Sequence, residues 1–159
     1  MKYHIITIGK IKEKYLTAGM EEFLKRLRPY GQVVITALPE EKMPDNPSPA
    51  QKAQVIEKEG EKLLRHVPQG AYLFALDVQG KLISSEDMAA TFADLGLHGK
   101  SDLAFIIGGP FGLADAIRKR ADQCISFGRI TLTHQMIRLL LLEQIYRAIK
   151  IQRHEPYHW

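Results

Sequence analysis

The sequence predicts an α/β fold, a mostly parallel sheet flanked by helices. Three observations predict it. Short β-rich segments alternate with longer amphipathic ones along the chain, the pattern of βα units. A glycine turn, Gly108-Gly109-Pro110-Phe111-Gly112, joins an apolar strand to a short helix. The 159 residues, 45% hydrophobic and 25% charged, suit one compact domain, 1–159, able to bury a core without disulfide or metal staples.

The elements follow in order. Tyr3 to Ile8 is β-rich, and 14–27 places Leu16, Met20, Phe23, Leu24 and Leu27 at helical spacing. Val33 to Leu38 is the second strand. Pro39, Pro44, Pro47 and Pro49 then bar regular structure, so 40–48 is a surface loop, an insertion or an arm. A charged helix runs from Ala50 to His66, a buried strand from Tyr72 to Leu76, and Val78 to Lys81 reads as a turn with Lys81 in solvent. Ser84 or Ser85 caps a helix over about Glu86 to Leu95. After the strand Leu103 to Ile107 come a short helix, Leu113 to Arg120, a strand, Gln123 to Phe127, and the longest helix, Gln135 to Gln152.

Composition excludes several classes. Cys124 is the only cysteine, so there is no internal disulfide and no cysteine-based zinc cluster. His4, His66 and His98 are scattered without HxxxH or HExxH spacing, so no metal site is expected. The apolar start is too short for a signal core or a membrane span, which reads as cytoplasmic with no membrane partner. A net charge of +4 attracts polyanions mildly.

Ligands in open α/β sheets bind at strand carboxyl ends. Gly108 closes such a strand, yet neither the P-loop nor the dinucleotide fingerprint is present, which disfavours a phosphate cradle. Taken alone, the glycines serve a tight turn. The loop from Phe127 to Leu132 follows another strand and is mostly apolar, suited to a flat neutral ring. A third strand end lies at Leu76.

In the last helix Arg138 falls on one stripe with Leu142, Ile145 and Ile149. A guanidinium there must meet a carboxylate, a ligand or a partner subunit. Glu143 and Arg147 form an ordinary i,i+4 surface pair. The helix is apolar nearly all round, which requires cover on two sides: the sheet, and a second copy in a C2 homodimer. The aromatic, basic tail Arg153 to Trp159 is either a frayed end or a nucleic-acid contact.

Together, Gly108 to Gly112, Thr131-Leu132-Thr133-His134-Gln135-Met136-Ile137-Arg138, Glu143 to Ala148 and Pro156-Tyr157-His158 resemble the RlmH family of ribosomal RNA large-subunit methyltransferases. The resemblance covers the whole chain, with Ile8-Gly9-Lys10, Glu57-Lys58-Glu59-Gly60 and Gln79-Gly80-Lys81 fitting as well. It implies a SPOUT-type α/β fold with a C-terminal trefoil knot, S-adenosyl-L-methionine as methyl donor, and N3 of a pseudouridine in 23S rRNA of the assembled ribosome as acceptor. It assigns cofactor binding to Leu76, Gly108, Phe127, Gly128, Arg129, Ile130, Thr131 and Leu132, and catalysis or substrate orientation to His134, Arg138, Tyr157 and His158. Trp159 stands where members often end in Lys or Arg, which puts a terminal charge contact to RNA in doubt. Two alternatives are a non-catalytic RNA-binding dimer and a nucleotide-dependent oxidoreductase.

Overall fold

The computed structural model describes residues 1–157. Five strands form one sheet in the order β2-β1-β4-β3-β5: β1 (Lys2–Ile8), β2 (Gln32–Leu38), β3 (Tyr72–Leu82), β4 (Asp102–Ile107) and β5 (Gln123–Ser126). Every pairing among them is parallel. Five helices connect them: α1 (Lys14–Leu27), α2 (Pro49–Arg65), α3 (Ser85–Leu97), α4 (Asp115–Arg120) and α5 (Met136–Gln152).

The central strands are buried on both faces, which is why β4 reads as unbroken apolar sequence. Leu103, Phe105 and Ile107 face one core with Phe74, Phe92, Leu142 and Ile145, beneath α1, α3 and α5. Ala104 and Ile106 face the other, with Leu63, Leu73 and Ile117 beneath α2 and α4. Phe74 stacks on Phe105 at 4.9 Å in the first core. The helices start where capping chemistry allows: Ser48 and Ser84 each close a capping box, with Gln51 and Asp87.

Two expectations change. Val78 to Lys81 is not a simple turn: β3 breaks register after Leu76, then Lys81 and Leu82 pair again with Ile125 and Ser126. Gly80 permits this, because a Cβ there would lie 2.8 Å from the backbone of Cys124 and Ile125. Lys81 is exposed as expected. The cover of α5 also differs. Its own chain covers most of it, α1 and α3 packing against it over the sheet, and leaves Met136 and Leu140 exposed near its start.

Candidate functional site

A cavity of about 970 Å³ opens where β3 breaks register and at the carboxyl ends of β4 and β5, at the upper end of the range for small-molecule sites. Three segments build it: Leu76 and Asp77 at the break in β3, then Ile107 to Pro110, then Ser126 to Gly128. Ile130 to Ile137 continue the wall into the first turn of α5, and Tyr15 and Leu16 of α1 complete it. The sheet order puts these ends side by side although they are far apart in sequence.

All the residues assigned to cofactor binding line this cavity except Arg129. Its guanidinium instead donates to the carbonyls of Val78 and Gly80, fastening the 127–132 loop to the irregular part of β3. Gly128, at φ +146°, takes a backbone conformation that side chains resist. Gly108 has a different reason for being glycine: a Cβ would sit 2.8 Å from the Gly112 carbonyl oxygen. The turn's own packing demands it.

Asp77, Arg118, Glu59 and Glu40 lie at or beside the cavity and are not among the site residues assigned from the sequence. Asp77 accepts from Arg118 Nε at 2.6 Å, and both line the cavity. Burial alone would push the Asp77 carboxyl up, but Arg118 and the Gln79 N–H outweigh it and hold it below its ordinary value. Glu59, buried on α2, lies behind the glycine turn, its Oε1 2.7 Å from where a Gly109 Cβ would be. Burial raises its pKa, with the neighbouring carboxylates of Glu40 and Glu41 adding to the shift, although the Glu41 N–H it accepts and Lys62 oppose it. Glu40 comes from the proline-rich arm and faces His134, Oε1 to Nε2 at 3.8 Å. Only distance in the fold relates these groups.

His134 lines the cavity, and its Nε2 is buried with no hydrogen-bond partner. Burial and then the Arg138 guanidinium lower its pKa, with Glu40 opposing. Arg138 is 2% exposed and lies behind the wall. It meets backbone carbonyls where the sequence led us to expect a carboxylate, ligand or partner subunit: Nη2 donates to Ile8 O at 2.6 Å, and Nε donates to His134 O at 3.2 Å. Its charge is thereby spent joining the end of β1 to the entry of α5. Burial lowers its pKa, against the raising effect of Glu40.

The tail is folded back on α5. Glu155 accepts from Lys150 at 2.5 Å, Arg153 at 2.6 Å and the Tyr30 hydroxyl at 2.9 Å. Tyr157 donates its hydroxyl to Glu143 Oε1 at 2.9 Å and meets Tyr146 edge-on at 4.8 Å. Glu143 also holds Arg147, whose guanidinium lies over the Tyr157 ring, so the expected surface pair belongs to a larger cluster. Tyr157 is not part of the cavity wall. His158 and Trp159 lie outside the described residues.

Residues 1–158 match the family described as "Predicted SPOUT methyltransferase". The chain belongs to the SPOUT methyltransferase family. It is 53% identical over 160 residues to a Symbiobacterium thermophilum protein named ribosomal RNA large subunit methyltransferase H, covering 99% of each chain. Identically named proteins of Moorella thermoacetica and Listeria monocytogenes share 53% over 154 residues (97% of this chain, 96% of theirs) and 50% over 158 residues (99% of each). The five-stranded parallel sheet agrees with the SPOUT expectation. Among the described residues no helix is long and apolar enough to cross a membrane, and no group of His, Cys, Asp and Glu is placed to hold a metal ion.

Proposed function

We propose that this SPOUT methyltransferase transfers a methyl group from S-adenosyl-L-methionine to N3 of a pseudouridine in 23S rRNA of the assembled ribosome, acting as a cytoplasmic homodimer. The observation that carries the reading is the cavity where Leu76, Gly108 and the apolar 127–132 loop converge. Its walls fit the donor: Leu76, Phe127, Ile130 and Leu132 suit a neutral adenine, while the ion-paired Asp77 and Arg118 lie at the same mouth. Bound there, the donor supplies an electrophilic methyl on a sulfonium. The chain's own part is to hold the two reactants in line, and positioning of this kind accounts for much of such catalysis. The names of the relatives support the ribosomal acceptor.

The homodimer rests on exposed apolar side chains around the mouth. Tyr15 is 66% and Ile130 80% exposed, and Met136 and Leu140 add a stripe on the first turns of α5. In this reading a second copy covers them. Tyr157, docked beside Glu143 about 10 Å along α5 from Met136 at 1.5 Å per residue, then serves the partner's cavity, and the same role is assigned to His158, which lies outside the described residues. Arg138 acts on the nucleotide side through the His134 carbonyl it holds. The C-terminal trefoil knot and the single catalytic unit belong to the same proposal.

Nucleoside mass spectrometry of ribosomal RNA from cells with and without this chain tests the reading. Loss of 3-methylpseudouridine without the protein is expected, and an unchanged level refutes it. Ribosome binding without turnover would favour the RNA-binding dimer. The oxidoreductase alternative has lost its ground, since the family is one of methyltransferases and the dinucleotide fingerprint is absent.

A further inference from the structure

A ring N–H that becomes methylated must release its proton, and one pair of side chains at the cavity is placed to receive it. His134 lines the cavity, and its Nε2 is buried, without a partner, and 3.8 Å from Glu40 Oε1. The Glu40 side chain is half exposed, and it is the chain around it that is fixed. The next residue is fixed twice, its carboxylate paired with Lys62 and its N–H donating to Glu59 Oε2. On the other side Gly9, at φ +81°, leaves space that a side chain would fill: a Cβ would stand 2.7 Å from Glu40 Oε1. Gly9 N–H also donates to Leu38 O at 2.7 Å, closing the base of the arm. The arm thus delivers one carboxylate to the buried side of one imidazole.

We propose that His134 is the proton acceptor and Glu40 its positioning carboxylate, an assignment that rests on the methyl-transfer reading above. Nε2–H points to Glu40, which fixes the tautomer and leaves Nδ1 for the nucleotide, the division of roles that carboxylate–histidine pairs use elsewhere. The separation is longer than a hydrogen bond, and such contacts tighten when substrate fills a site. Arg138 on α5 is the other charge facing the ring; burial and then this guanidinium lower the imidazole's pKa, while Glu40 opposes them. His134 takes the proton as the ring nitrogen's electron pair forms the bond to the methyl carbon. The carbon–sulfur bond breaks with its pair left on sulfur, and the positive charge ends on the imidazole beside Glu40.

The test uses the full chain with undermethylated ribosomes, comparing wild type, His134→Gln and Glu40→Gln by single-turnover transfer across pH, donor binding by calorimetry, and NMR titration of His134 without donor. His134→Gln should slow transfer by about 100-fold or more while donor affinity stays within about threefold. Glu40→Gln should move both the His134 titration midpoint and the acid limb of the rate profile down by about one pH unit, because a stabilising carboxylate has been removed. Damage to the fold alone lowers rates without moving either. Transfer by His134→Gln near the wild-type rate overturns the proposal, as does loss of donor binding in that variant or an unmoved midpoint in Glu40→Gln. A wild-type chain that transfers no methyl overturns the parent reading and this one with it. An active wild type with an unmoved limb overturns this one alone.

Discussion

Replacing Arg138 by Met removes a buried cation whose bonds join β1 to α5. Two hydrogen bonds to carbonyls are lost, each worth about 1.5–3 kcal/mol when one partner is charged, and the Ile8 and His134 oxygens are left behind the cavity wall. Relief of the guanidinium's own burial offsets part of this, since removing a buried charge returns some desolvation energy. A net loss of about 2–4 kcal/mol remains. For a chain of 159 residues that lowers the thermal midpoint by about 5–15 °C, at roughly 2–4 °C per kcal/mol. Arg138→Lys should fall between, because an ammonium keeps the charge but not the fork that reaches both oxygens. Calorimetric unfolding gives the stabilities, and paired titration and transfer assays give the functional split. Methyl transfer should fall more than donor binding, because the wall contact goes through His134. An Arg138→Met protein as stable and as active as wild type would refute the clamp, and equal loss of binding and transfer would refute the substrate-side role.

Gly108→Ala places a Cβ 2.8 Å from Gly112 O and 3.0 Å from Leu113 Cδ2, so the turn must shift; overpacking of about 1–3 kcal/mol should weaken donor binding by about tenfold in calorimetry, and unchanged affinity would show that the turn gives freely. Gly60→Ala brings α2 within 2.5 Å of the Ala114 Cβ and should cost about 1–3 kcal/mol in denaturant unfolding, with Ala114→Gly added to it recovering part of the loss; no recovery would place the strain elsewhere. Glu155 is held down to about 2 from the ordinary 4.5 by Lys150, Arg153 and Tyr30. Because its folded pKa is depressed, the stabilisation is full above 4.5 and is lost as pH falls towards 2. The gap in thermal midpoint between wild type and Glu155→Gln should therefore shrink across that window, and a constant gap would refute the assignment.

The amino-acid sequence by itself determined the ten elements, because periodicity and punctuation are local: prolines set the arm, serines set two helix starts, and α1 runs over the residues its apolar spacing marks. Composition and motif spacing also brought out the three strand ends that meet at the cavity. What surrounds them was decided only by the tertiary structure. Asp77 with Arg118, Glu59 behind Gly109, and Glu40 against His134 are pairs far apart along the chain, and no periodicity carries such a relation. The bend in β3 escaped for the same reason, since Gly80 is glycine on account of β5 and not of its neighbours in sequence. Arg138 shows the division within one residue. Its place on an apolar stripe demanded a partner, and the folded chain chose two backbone carbonyls, because the strand end that offers one of them arrives from the opposite end of the sequence.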